Sequence, residues 1–206
     1  MTTDTRCLTA FYVETFSRDN HAAAMASADP FGTGSLMLPV RSSPCEVGKV
    51  TFASGKGWGA EPRGDLLVLA STLSLSDGAT AATVNAGESV GIALGITVID
   101  NEAPLAPSNP PAAELLLGEV PQCRANTMFL SADTALKCGV WASTPYQRVP
   151  IHCHPTELMH LLEGSVSFVD GSGETRSYAA GETILLERGA DASWDSRVHV
   201  AKIYAT

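Results

Sequence analysis

The chain has 206 residues, which suits one large domain or two small ones and is enough to bury a hydrophobic core. It carries 13 Lys and Arg against 22 Asp and Glu, a formal net charge of −9, without basic patches, so nucleic acid and anionic membranes are not expected partners. Gly and Pro are plentiful and aromatic residues are few, which is typical of a turn-rich all-β protein.

The cysteines and the N-terminal residues bear on the cellular compartment. The 5 cysteines are an odd number and form no C-x-x-C pair, which favours a reducing compartment over a disulfide framework or a zinc knuckle. No stretch near the N-terminus has the apolar core of a signal peptide, and no apolar run approaches ~18 residues. We therefore expect a cytoplasmic protein that does not cross a membrane.

Three segments precede the part of the chain that carries a motif. Residues 1–34 form an arm that we expect to pack on a barrel or on a partner subunit. Within residues 35–100, short apolar runs alternate with Gly, Pro and Ser, and they predict strands at 35–40, 47–53, 66–70, 73–75, 81–84, 90–94 and 97–99. Residues 101–113 are rich in proline, which a sheet interior does not accept, so this segment is predicted to be a linker.

Residues 114–206 repeat the same alternation of apolar runs and turns. They predict strands at 127–130, 140–143, 149–153, 158–162, 166–169, 175–178, 183–187 and 198–204. Related residues recur between the two regions at a spacing of about 92 residues, as in Asp65 and Glu157. We interpret the chain as a degenerate duplication, with any chemistry in the second copy, because Ala60 and Pro62 stand where that copy has His152 and His154.

The motif runs from Pro150 to Gly164, P-I-H-C-H-P-T-E-L-M-H-L-L-E-G. On a β-strand, His152 and His154 share one face, and Cys153 lies on the other, where a buried structural role is the favoured interpretation. Two imidazoles and the Glu157 carboxylate are suitable ligands for a divalent transition metal.

This pattern, H-x-H followed by Glu157 and by Gly164, resembles the first motif of the cupins, which are small jelly-roll barrels. Residues 181–189, G-E-T-I-L-L-E-R-G, resemble the second cupin motif. G-V-W at 139–141, L-L-E-G at 161–164 and Trp194 resemble the DUF861 (cupin_3) group, which includes ethanolamine-utilisation and ureidoglycine-aminohydrolase relatives. The resemblance covers roughly residues 139–204.

The resemblance implies a fold and an assembly. It implies an all-β protein with two tandem cupin (RmlC-like jelly-roll) barrels, a bicupin, with a short N-terminal arm. The barrels would comprise residues 35–100, a degenerate copy, and 114–206, which carries the H-x-H motif. Cupin barrels commonly pair, so a homodimer is expected.

The second motif departs from the cupin pattern. Glu187 stands where proline is usual, and Ala192 stands near the position of the third histidine ligand. Metal ligation by His152, His154 and Glu157 therefore stays open beside a metal-free polar pocket. His160 and His199 are candidates for a fourth ligand. The odd spacing from Glu157 places His160 on the outer face unless a bulge turns it inward.

Aromatic and basic residues around the motif are candidates for a substrate pocket. They are Trp141, Tyr146, Arg148 and Trp194, and ordinary barrel packing is the alternative. Glu187 and Arg188 could form an ion pair or bind a polar substrate, and a solvated turn is the default interpretation.

Two functions are consistent with these residues. One is a metal-dependent cupin enzyme, holding Mn, Fe, Ni or Zn, that acts on a small polar metabolite by hydrolysis, isomerisation or dioxygenation. The other is a non-catalytic cupin that binds a small ligand or acts as a sensor or assembly subunit.

Overall fold

The computed structural model describes the following residues: 8–11, 36–39, 46–49, 65–68, 73–76, 81–85, 89–92, 96–131, 134, 136–169 and 173–206. Apart from one short 3-10 helix, Ala113–Leu115, the regular structure in these ranges consists of β-strands. All of their pairings are antiparallel, and the prediction of an all-β fold is confirmed. Within the same ranges, no helix has the length and apolar character that crossing a membrane requires.

Before the Pro-rich segment, the described residues form eight strands: β1 (Leu8–Phe11), β2 (Leu36–Pro39), β3 (Glu46–Lys49), β4 (Asp65–Val68), β5 (Leu73–Ser76), β6 (Ala81–Val84), β7 (Ser89–Ile92) and β8 (Ile96–Ile99). β2 pairs with β3, β5 pairs with β6, and β4 pairs with β7, which also pairs with β8. Every strand predicted for residues 35–100 has a counterpart here. Most other residues of the predicted arm and first barrel lie outside the described residues, so the tandem arrangement stays a prediction.

Ten strands follow: β9 (Ala106–Ser108), β10 (Cys123–Leu130), β11 (Lys137–Ser143), β12 (Tyr146–His152), β13 (Glu157–Glu163), β14 (Ser165–Val169), β15 (Thr175–Ala179), β16 (Thr183–Leu186), β17 (Asp191–Ser196) and β18 (Val200–Ala205). Together with β1, they form two sheets. One has the order β1-β16-β13-β18-β11-β10-β9, and the other has the order β12-β17-β14-β15. Two antiparallel sheets facing each other are the arrangement of a jelly roll.

The segment that forms β17 was not predicted to be a strand. Its sequence, D-A-S-W-D-S, has little intrinsic preference for strands. It is nevertheless an inner strand of the four-stranded sheet, between β12 and β14, and its alternate residues Ala192, Trp194 and Ser196 are buried. Burial of this face outweighs the weak local preference.

Both ends of the seven-stranded sheet are formed by segments predicted to lie outside a barrel. β1, from the predicted arm, pairs with β16, so that Leu8 lies opposite Leu186. β9, from the predicted linker, pairs with β10, and Pro107 lies opposite Arg124. An edge strand needs partners on one side only, which is why proline is tolerated there.

The hydrophobic core formed by the described residues has two parts, one on each face of the seven-stranded sheet. Met159 and Leu161 of β13 belong to the cluster between the two sheets, which we call the barrel interior. Leu158 and Leu162 pack against a second cluster, with Ile99 of β8, on the opposite face. Because both faces of β13 are covered, its sequence is an almost continuous apolar run.

Candidate functional site

An irregularity in β12 decides which way the histidine motif faces. Arg148 lies opposite Trp194, but the next paired residue on β12, Ile151, lies opposite Ala192. β12 therefore carries one residue more than β17 over this stretch, which is a β-bulge. Since side chains alternate along a strand, the extra residue leaves both Arg148 and Ile151 on the inward face.

The bulge places His152 and His154 on the outside of the barrel. The His152 side chain is 58% exposed, and its Nδ1 lies 3.2 Å from Oδ1 of Asp191, which is 57% exposed. His154 is also exposed, and the two imidazole rings are 6.1 Å apart at their centroids. Both imidazoles therefore face solvent, away from the barrel interior.

Cys153, between the two histidines, is buried in the barrel interior. This agrees with the interpretation of Cys153 as a buried structural residue. Burial raises the pKa of its thiol to about 11, because the apolar surroundings disfavour the thiolate; the nearby Arg148 opposes this shift. A thiol of this kind is a poor nucleophile at neutral pH.

Glu157 faces the interior but binds a cation of the protein itself. Its Oε1 accepts a hydrogen bond of 2.8 Å from Nζ of Lys202 on β18, whose side chain is 9% exposed. The same Nζ lies 4.9 Å from the ring centroid of Trp141 and 5.1 Å from that of Trp194. The Lys202 ammonium group is thus held by one carboxylate and two indole faces.

The residues as placed do not fit a divalent metal. Among the described residues, no group of three or more His, Cys, Asp or Glu is arranged to hold one. His152 and His154 lie outside the barrel, whereas Glu157 points inside. Ala192, near the position of the usual third histidine, is buried opposite Ile151. We therefore derive no catalytic step through a metal, and the metal site stays a prediction.

The four pocket candidates meet in the barrel interior. Trp194 is stacked on Tyr146, with ring centroids 5.6 Å apart and planes inclined by 13°. It meets Trp141 edge-on at 5.8 Å. Its indole N–H donates a hydrogen bond to Oγ of Ser196, which fixes the orientation of the ring.

Arg148, the fourth candidate, is buried beside these rings. Its Nη1 donates hydrogen bonds to the backbone oxygen atoms of Ala192, at 2.8 Å, and Val149, at 3.2 Å. Burial raises the pKa of the Tyr146 hydroxyl, and the positive charge of Arg148 opposes that shift. The phenol is therefore neutral at physiological pH.

The C-terminal part of the chain, which forms most of the two sheets, is similar to a known protein family. Residues 130–204 match the model of a family described as the EutQ-like cupin domain, Cupin_3. The C-terminal region is a EutQ-like cupin domain. This confirms the resemblance to the DUF861 group for that region and the jelly-roll interpretation of its two sheets. No curated protein matches the sequence.

Solved structures similar to this chain include a DUF861-family protein of unknown function from Pseudomonas syringae pv. tomato. It is 26% identical, the match covers 89% of this chain and 97% of that one, and the TM-score is 0.63. The EutQ protein of Clostridium difficile is 13% identical over 54% of this chain and 85% of its own, with a TM-score of 0.43. A DUF861 protein from Thermotoga maritima is 20% identical over 32% and 73%, with a TM-score of 0.30. The last two scores are too low to support an argument.

The other two histidines of the cupin domain lie away from the barrel interior. His160 is on the face of β13 that carries Leu158, and its Nδ1 lies 2.9 Å from Oγ1 of Thr183. Burial lowers the pKa of His160 because the charged imidazolium is poorly solvated there. His199 is exposed, with Nε2 at 3.8 Å from Oε2 of Glu163.

Glu187, in contrast to the expected solvated turn, is buried. It follows β16, where the chain turns towards β17, and its backbone oxygen accepts a hydrogen bond from the N–H of Ala190. Its side chain is thus covered although it lies outside a strand.

Sequence reasoning missed Lys202. The available signal was its position in V-A-K-I-Y, where a lysine interrupts an apolar run on a predicted strand. Lysine is almost never fully buried unless it is paired, so such a residue points to a buried partner. The sequence does not indicate that the partner is Glu157.

Proposed function

We propose that the EutQ-like cupin domain binds a small polar molecule in its barrel interior, without a metal ion held by His152 and His154. One observation carries this proposal. The Lys202 ammonium group is fixed by Glu157 between the indole rings of Trp141 and Trp194. Sites for small molecules commonly combine aromatic walls with a few placed polar groups, which is the composition found here.

The energetics of the Lys202–Glu157 pair support this proposal. A buried ion pair is seldom more stabilising than apolar side chains of the same size, because both charges lose their hydration. Its presence in a barrel otherwise lined by Met159, Leu161 and aromatic rings is therefore better explained by binding than by stability. The carboxylate and the two indole rings also hold the Lys202 side chain in one place, as a binding group requires.

A metal-dependent cupin enzyme is the second candidate. The H-x-H motif followed by Glu157 and Gly164 supports it, because that pattern resembles the metal-binding motif of cupins. The placement of the side chains favours metal-free binding instead, since His152 pairs with Asp191 and Glu157 pairs with Lys202.

One experiment on the full-length protein separates these candidates. Chelator-treated protein is offered Mn, Fe, Ni and Zn in turn, and bound metal is measured for the wild type and for His152→Ala/His154→Ala. We expect no stoichiometric binding that depends on the two histidines. About one metal per chain in the wild type, lost in the double variant, would establish the metal site and overturn the metal-free proposal.

Binding itself is measured in a second step by thermal unfolding with a panel of small polar metabolites. A ligand that stabilises the wild type should lose most of its effect in Lys202→Met, which keeps the length of the side chain but removes its charge. His199→Ala, at an exposed position of the same domain, is the control. No stabilisation by any compound in the panel counts against the proposal.

We also propose that residues 35–100 are a second, ligand-free copy of the fold. One pairing supports this. In β4 and β7, Asp65 lies opposite Ile92, and in β13 and β16, Glu157 lies opposite Leu186. An acidic residue thus opens a strand in both regions and is paired in register with an aliphatic residue. The expected homodimer is checked by light scattering of the full chain.

A further inference from the structure

Arg148 presents a positive charge to the barrel interior, and no acidic partner for it lies among the described residues. Its residue is 9% exposed, and it lies opposite Trp194 on the inward face. The atoms that accept hydrogen bonds from Nη1 are the backbone oxygens of Ala192 and Val149, which are neutral. In the described part of the chain, no carboxylate forms an ion pair with Arg148.

Lys202, the other buried cation of the barrel interior described above, differs from Arg148 because it forms an ion pair. Its ammonium is neutralised by Glu157, so this pair contributes no net charge. Arg148 has no such carboxylate partner among the described residues. The backbone oxygens that accept hydrogen bonds from its Nη1 do not cancel its charge.

An uncompensated buried charge is expensive, and arginine cannot avoid the cost by losing its proton. An anion from solution would remove that cost. The planar guanidinium offers parallel N–H donors that match the two oxygens of a carboxylate, which makes it the side chain best suited to that group.

The surroundings of Arg148 fit the rest of such a ligand. The rings of Tyr146, Trp194 and Trp141 supply apolar walls for a short hydrocarbon chain. Ser143 is on the same inward face as Trp141 and opposite Val200, and its buried Oγ has no hydrogen-bond partner within the described part of the chain. This hydroxyl is available to a second polar group of the ligand, such as a hydroxyl.

We infer that the barrel interior binds a small monocarboxylate, with the carboxylate group on the Arg148 guanidinium and the short carbon chain against Trp194 and Tyr146. This inference rests on the proposed function, since it names the class of molecule that the barrel takes. Lys202 is the weaker candidate for the carboxylate, because a ligand would have to displace Glu157 from it.

The test compares ligands of equal size and different charge at constant ionic strength. Binding of acetate, propionate and lactate to the full-length protein is measured by calorimetry, beside acetamide as the neutral isostere and inorganic phosphate as an unrelated anion. We expect the carboxylates to bind, and acetamide and phosphate to bind at least ~10-fold more weakly.

The variants are Arg148→Gln, which keeps an N–H donor for the Ala192 oxygen, and Arg197→Gln as the matched control. Arg197 is on the surface and pairs with Asp195. Arg148→Gln should lose at least ~10-fold in carboxylate affinity, whereas Arg197→Gln should bind as the wild type does. Thermal unfolding without ligand verifies that both variants are folded. If Arg148→Gln does not fold, Arg148→Lys is used, because it keeps the positive charge but lacks the paired N–H donors of the guanidinium. This variant should still prefer carboxylates to acetamide, with a lower affinity for them than the wild type has.

Two results would overturn the inference. The first is equal binding of acetate and acetamide, or binding that survives Arg148→Gln; the barrel would then take a ligand, but Arg148 would not select a carboxylate. The second is equal binding of carboxylates and phosphate, which would make Arg148 an unselective anion site. Failure of every ligand class in the wild type would instead contradict the proposed function on which the inference rests.

Discussion

Nζ of Lys202 lies 2.8 Å from Oε1 of Glu157, although the two residues are 45 positions apart in the sequence. They belong to β18 and β13, which are neighbours in the seven-stranded sheet. The pair is largely removed from water, with 9% of the Lys202 side chain and 21% of the Glu157 side chain exposed. Each charge consequently depends on the other for most of its stabilisation.

The first prediction concerns the cost of breaking this pair. Glu157→Gln should lower the free energy of unfolding by ~3 kcal/mol, because it leaves a buried ammonium group without its counter-charge. Glu157→Gln/Lys202→Met should recover much of that loss, since it removes both charges. Urea unfolding of the wild type and the single and double variants gives the coupling energy directly.

A control for that cycle is Arg197→Gln, which breaks the surface pair with Asp195. Its effect should be below ~1 kcal/mol, because exposed ion pairs contribute little. Additive single substitutions at Glu157 and Lys202, with no recovery in the double variant, would mean that the two charges are not coupled in solution.

The second prediction concerns acid stability and His160. Burial lowers the pKa of His160 from 6.5, so the unfolded chain takes up a proton at a higher pH than the folded protein does. The stability contribution of the neutral imidazole is present above pH ~6.5 and is lost as the pH falls below it. His160→Gln, which can still hydrogen-bond Thr183, should make unfolding less dependent on pH between 7 and 5. An unchanged pH dependence in that variant would contradict the buried placement.

The third prediction concerns alkaline stability and the buried thiols. The pKa of Cys153 rises from 9.0 to about 11 on folding, and that of Cys138 rises to about 12, in both cases mainly through burial. The unfolded chain therefore releases these protons first, and stability is lost as the pH rises from about 9 to 11.

Cys153→Ala should reduce this loss, and its stability relative to the wild type should rise with pH over that interval. Thiol labelling at pH 8 measures the same property. Cys153 should be modified only at the rate of unfolding, and rapid labelling of the native protein would show that the thiol is accessible.

The positions of most strands in the cupin domain could be predicted from the sequence. Apolar runs predicted strands at 158–162 and 183–187, and the structure has β13 at Glu157–Glu163 and β16 at Thr183–Leu186. These strands are buried in the core, and their buried positions are therefore occupied by apolar residues, which gives a strong pattern in the sequence. β17 escaped prediction because small and polar residues separate its few inward side chains.

The orientation of the histidine motif could not be predicted in the same way. The sequence I-H-C-H alternates equally well with its histidines inside or outside, so the local pattern fits both faces. What decides between them is the register of β12 against β17, and these segments are about 40 residues apart. The partner of Glu157 was missed for the same reason, since Lys202 is brought to it only by the pairing of β13 with β18.

Because β12 has one residue more than β17, a change of one residue in its length decides which of its side chains face the barrel interior and which face solvent. Downstream of Arg148, an insertion or deletion of a single amino acid would swap the imidazoles of His152 and His154 with the side chains of Ile151 and Cys153. In proteins with the same H-x-H letters, strand parity therefore decides whether the two imidazoles face the barrel interior or the solvent. Counting residues between an inward arginine and the first histidine is thus a sharper way to sort such sequences than matching the motif.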